Sequence, residues 1–87
     1  MDQREYSFQH TKERCKERYD IDLTGMDYSY LCSKIKNNQC EFIKQERQKN
    51  GKQYVCKVNF YNEDDLYVVY LDESGLIKTV LPKESFD

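Results

Sequence analysis

The chain has 87 residues, 38% of them hydrophobic and 34% charged, and its 14 Lys and Arg against 16 Asp and Glu leave a formal charge of −2. A chain of this length forms one small domain and buries roughly two-thirds of its unfolded surface. Eight Tyr and four Phe supply the bulk that disordered chains lack, while one Pro and three Gly argue against a linker or a fibrous repeat. No uncharged run approaches the ~20 apolar residues of a membrane span. No apolar segment follows Met1-Asp2-Gln3-Arg4 either, so a cytoplasmic protein that makes no membrane contact is expected.

The acidic balance weakens the case for strong non-specific nucleic-acid binding, which depends on many cations releasing counterions. The charge is unevenly spread. Residues 1–52 carry 11 basic and 9 acidic residues, a balance of +2, and residues 53–87 carry 3 and 7, a balance of −4. Taken singly, each charged run reads as a solvated turn or helix face; together they leave a local basic region that can face an anion.

In chain order, residues 1–6 read as a polar arm. Ser7 is a candidate cap for a helix to about Arg18, since its hydroxyl can accept from a free N–H of the first turn. Phe8, Thr11, Cys15 and Tyr19 recur at helical spacing and predict its core face. An extended link, Asp20–Leu23, follows. Thr24-Gly25-Met26-Asp27 has the form of a capping box with Asp in place of Glu, and Tyr28, Leu31, Cys32 and Ile35 predict the apolar stripe of a second helix ending at Asn37-Asn38.

The remainder reads as strands. Residues 40–48 form a polar edge candidate. Lys49-Asn50-Gly51-Lys52 signals a hairpin, because Asn-Gly accepts positive φ. Tyr54, Cys56, Val58 and Phe60 alternate with Val55, Lys57, Asn59 and Tyr61 at a period of two. A turn at residues 62–65 leads to Leu66–Leu71, apolar almost throughout, as in a strand covered on both faces. Glu73-Ser74-Gly75 turns the chain again, and Leu76–Leu81 is the last strand, stopped by Pro82. The expected class is α+β in a single domain over residues 1–87: a helical hairpin at 7–37 packed on a four-stranded antiparallel meander at 40–82.

Cys15, Cys32, Cys40 and Cys56 form no C-x-x-C pair, and His10 is the sole histidine, so neither a zinc site nor a cofactor is expected. Small buried hydrophobes are the better reading of these thiols.

The segment that carries chemistry is His10-Thr-Lys-Glu-Arg14-Cys-Lys-Glu-Arg18. Positions four apart stack along one side of a helix, so His10, Arg14 and Arg18 form one stripe. Two guanidiniums in line can grip a phosphate by paired hydrogen bonds, and a histidine can move a proton near neutral pH. That combination suits metal-free phosphodiester cleavage, with His10 as proton carrier and Arg14 and Arg18 as phosphate ligands. Lys57, Tyr67, Tyr70 and Lys78 are candidate contributors from the sheet. A structural alternative stands beside this one: Glu13, Glu17, Asp20, Asp22 and Asp27 are close enough in sequence to neutralise the arginines. The strand tyrosines, Tyr54, Tyr61, Tyr67 and Tyr70, fit core and cross-strand pairing.

The pattern Ser7-x-x-His10-x-x-x-Arg14-x-x-x-Arg18, followed by Ile21-x-Leu23, a second helix and a closing strand, resembles a group of small plasmid and phage proteins related to the RelE and BrnT toxins. The resemblance spans roughly residues 7–82, and its motif lies in the first helix. It implies a RelE-like fold and ribonuclease ancestry, with His10, Arg14 and Arg18 in the suspected role. The chain departs from it in being acidic and in offering Lys78 and Thr79 at the last strand, not a His, Arg or Tyr set.

Two functions are therefore weighed. One is binding of a phosphate-bearing ligand, RNA or a nucleotide, with cleavage left open. The other is a non-catalytic, phage-type inhibitor that blocks a host defence protein or sequesters a nucleotide signal. Either a monomer or a homodimer is compatible with the polar 40–48 edge.

Overall fold

A computed structural model describes residues 2–49 and 51–86 of the chain. Helix α1 (Gln3–Tyr19) begins one turn before the expected Ser7 cap. Asp2 is the cap: its carboxylate accepts from the Glu5 N–H at 2.8 Å. Asp-Gln-Arg-Glu thus starts the helix, residues 3–6 are not an arm, and Ser7 is buried within the helix beside Thr11 and Cys15. An acidic cap also suits the positive end of the helix dipole. Asp20 closes α1 in the left-handed conformation, its N–H reaching back to the Cys15 and Lys16 carbonyls.

Helix α2 (Gly25–Lys36) opens on the expected capping box, with reciprocal Thr24 and Asp27 bonds, each 3.1 Å long. Its Tyr28, Leu31, Cys32 and Ile35 are all buried. Both helices are short and polar on one side. No helix among the described residues is long and apolar enough to cross a membrane.

Four strands follow: β1 (Glu41–Gln48), β2 (Gly51–Phe60), β3 (Asp64–Leu71) and β4 (Leu76–Leu81), in an antiparallel sheet of order β1-β2-β3-β4. The architecture is α+β, two helices and then a four-stranded meander. Asn50 of the expected Asn-Gly turn lies outside the described residues; Gly51 opens β2 at φ 126°. That φ is what favours glycine, and a methyl group there would also stand 2.9 Å from the Glu73 side chain, which would have to move. The β2–β3 turn is displaced toward Tyr61 and Asn62, both at positive φ, so that Asp64 already belongs to β3. The Asn59 side chain accepts from the Asn62 N–H at 2.7 Å and holds that turn.

The core lies between the helices and one sheet face. Cys56, Val58, Leu66, Val68, Ile77 and Val80 meet Cys15, Leu23, Tyr28, Leu31 and Ile35 there. Val55, Tyr67 and Val69 are buried on the opposite face. Part of that cover comes from beyond Pro82, where a short 3-10 turn (Lys83–Ser85) returns the chain and stacks Phe86 on Tyr67 at 4.3 Å. Central β3 is thus apolar on both sides because both sides are covered.

The two sheet edges differ. Along β4, helix side chains donate to backbone carbonyls: Thr11 and Tyr28 to Ile77 at 3.2 and 2.8 Å, Arg18 to Val80, and Tyr19 to Leu81 at 2.8 Å. Neither helix packs along β1, and seven of its eight residues are exposed. The register of β1 on β2 is interrupted between Phe42 and Lys44, a bulge centred on Ile43.

Candidate functional site

The His10, Arg14 and Arg18 stripe does not converge on a hollow. Arg14 is bound to its own helix, donating to Glu17 at 2.9 Å, a half-exposed pair of the kind the acidic neighbours allowed. Arg18 is committed to the Val80 carbonyl and ties the end of α1 to β4. His10 lies parallel to Tyr6, with ring centres 6.3 Å apart. None of the three lines either of the two larger hollows of the structure or the smaller one at the start of α1.

The four sheet candidates are also dispersed. Tyr67 sits under Phe86 on the face away from the helices. Lys57 lies opposite Tyr67 in the ladder and faces Asp65 at 3.8 Å. Tyr70 is buried and belongs to the helix-side core. It also lines a groove over the bare part of the sheet, whereas Lys78, exposed on β4, lines a different, lysine-bearing hollow.

That hollow measures about 530 Å³ and sits where the start of α1, the β1–β2 hairpin and the β3–β4 turn meet. Its cations are Lys49, Lys52 and Lys78, its one carboxylate is Glu73, and Tyr6, Gln48 and Gln53 are among its other polar residues. Three lysines against one glutamate give the wall +2 in a chain of net −2. None of the three lysines is paired with a carboxylate among the described residues. Glu73 is folded against Gly51, in space only a glycine leaves open. Tyr6, 64% exposed, presents an aromatic face at the rim. Lysine ammoniums without internal partners can each donate to a phosphate oxygen, and an exposed ring can stack a base.

A second groove, about 670 Å³, runs over the part of the sheet the helices leave bare. Ile35, Phe42, Ile43, Tyr54 and Tyr70 make its apolar wall. Phe42 meets Tyr54 edge to face at 5.4 Å.

The thiols are unsuited to nucleophilic work. Burial is the chief cause that pushes Cys15 up to about 11 and Cys56 to about 12, and it raises Cys32 and Cys40 as well. No group of three His, Cys, Asp or Glu among the described residues is placed to hold a metal ion. Every buried side-chain nitrogen or oxygen among the described residues has a hydrogen-bond partner.

Sequence reasoning named Lys78 as a contributor to the α1 stripe, not to the lysine-bearing hollow, and did not single out Tyr6, Lys49 or Lys52. Lys49 and Lys52 flank the Asn-Gly signal and read locally as turn solubility, and Tyr6 was assigned to an arm that is in fact helical. Compared with known proteins, the chain matches no family model, and no significant match is found among curated proteins or among solved structures.

Proposed function

We propose that the chain binds a phosphate-bearing ligand, a nucleotide or a short stretch of RNA, in the lysine-rich hollow, and holds it without cleaving it. One observation carries this reading: Lys49, Lys52 and Lys78, from different turns and strands, line the same concavity, and among the described residues none of them is ion-paired, Glu73 being the one carboxylate of that wall. The ammoniums take the phosphates, Tyr6 stacks on the base, and Gln48 and Gln53 offer donors and acceptors to the sugar. The wall itself offers one carboxylate and no imidazole to share a proton transfer, which supports holding over cleavage. On this reading the protein sequesters its ligand in the cytoplasm.

Kinship with RelE-related plasmid and phage proteins is part of the same proposal. The order of two helices and a meander supports it, as does the Ser7, His10, Arg14, Arg18 spacing. In this chain two members of that spacing serve packing: Ser7 is buried and Arg18 anchors β4.

The test uses a fluorescent oligoribonucleotide and adenosine triphosphate, titrated with the full chain in chelator. Binding is expected to weaken as salt rises, and Lys52→Ala with Lys78→Ala is expected to lower affinity at least about tenfold, the ligand being recovered intact. Unchanged affinity in that double variant overturns the lysine hollow. Cleavage that disappears in His10→Ala returns the site to the α1 stripe.

A further inference from the structure

We propose that β1 pairs antiparallel with β1 of a second copy, about a two-fold axis through Gln45, joining two four-stranded sheets into one of eight strands. The inference stands on the β1 edge alone and is independent of the lysine hollow.

An edge strand carries unpaired N–H and C=O groups along its open side. On β4 the helix side chains of Thr11, Arg18, Tyr19 and Tyr28 engage three carbonyls. Among the described residues no helix side chain hydrogen-bonds to the β1 backbone. From Lys44 to Gln48 the strand pairs with β2 in unbroken register, and it is exposed at every position but Glu46.

The charge order of β1 selects its own copy as the partner. With Gln45 opposite its symmetry mate, Lys44 faces Glu46 of the other copy twice over, once on each side of the axis. Arg47 of one copy then lies beside the bulge of the other, where its aliphatic stem can cover Ile43, a side chain that is 41% exposed. Neighbouring registers are worse. Centring on Lys44 opposes two lysines, and the Glu41–Arg47 pairs it would offer fall beyond the bulge at Ile43; centring on Glu46 opposes two glutamates. Centring between Lys44 and Gln45 leaves every charge facing an uncharged residue, and centring between Gln45 and Glu46 sets Lys44 against Arg47. Opposite charges across a ladder stabilise it and like charges destabilise it. Within one copy Lys44 and Glu46 already lie on the same face, 2.8 Å apart. The dimer closes them into an alternating ring of four charges. The bulge at Ile43 twists the strand beyond this stretch and limits pairing with unrelated edges. Because the axis is normal to the sheet, both helix layers lie on the same side and both grooves border the seam.

The experiment is sedimentation equilibrium of the full chain across a hundredfold range of concentration, with circular dichroism to establish folding. A reversible monomer–dimer equilibrium is expected. Lys44→Glu and Glu46→Lys should each weaken it at least tenfold, and the two combined should restore it. Gln45→Cys should give a covalent dimer on mild oxidation, through the one position that meets itself at the axis. A monomer at every concentration overturns the proposal. So does a dimer indifferent to Lys44→Glu, a combined variant no better than either single one, or a Gln45→Cys chain that stays uncrosslinked.

Discussion

The two outer strands of one sheet have opposite surroundings. β4 is overlaid by α1, and four side chains from the helices bond to its carbonyls. β1 projects past the helices, almost wholly exposed, beside a groove of half-covered aromatics. The same backbone chemistry is thus satisfied internally at one edge and left available at the other. The difference arises from connectivity: α1 and α2 have only two stripes to bury, and β2, β3 and β4 consume them. Stability is concentrated at the β4 edge, and capacity for contact at the β1 edge.

That contrast can be broken most sharply at paired isoleucines. Ile77→Ala removes a fully buried side chain from β4 and is expected to cost about 2–5 kcal/mol. Ile43→Ala on β1, already 41% exposed, should stay within about 0.5 kcal/mol. Urea denaturation of both variants measures the gap, and equal losses would show that the edges are not energetically distinct.

The arginines give the next largest effect. Arg18→Ala removes a charged donor from the Val80 carbonyl and should cost about 1.5 kcal/mol. Arg14→Ala breaks only a solvated pair with Glu17 and should cost less than about 0.5 kcal/mol. Thermal melts that reverse this order would restore Arg18 to the role of a free ligand group.

Tyr28→Phe deletes one of the two donors to the Ile77 carbonyl and is expected to cost about 1 kcal/mol. Its buried phenol is held in the neutral form, with a pKa raised chiefly by burial. Ultraviolet titration should therefore show Tyr28 ionising only on alkaline unfolding.

The smallest effect is one of pH. Burial opposes ionisation of Asp27, but hydrogen bonds from Thr24 and Tyr61 outweigh it and hold its pKa below the ordinary 3.8. A depressed carboxylate pKa stabilises the fold above the unfolded value, and that contribution is lost as pH falls through the folded one. Asp27→Asn should therefore flatten the acid limb of the stability profile below about pH 4, and an unchanged limb would remove the capping box from the acid response.

Thr24-x-x-Asp27, the Tyr28/Leu31/Cys32/Ile35 stripe, the period-two run in β2 and the turn glycine at 75 were legible because each signal lies within a few contiguous residues. The start of α1 was misplaced because two capping residues compete and only burial of Ser7 decides between them. The return of Phe86 onto Tyr67 had no local signal, since a stacking partner nearly twenty residues away leaves no period in the chain.

By itself the sequence determined the class, two helices and a meander, since hydrogen-bonding caps, side-chain periodicity and turn conformations act over one or two turns of chain. Only the tertiary structure decided which charges are available. It committed Arg18 to Val80, brought Lys49, Lys52 and Lys78 to one hollow, and left β1 uncovered. The physical reason is that a charge is free or engaged according to what the fold brings within about 4 Å of it, and such neighbours come from any part of the chain.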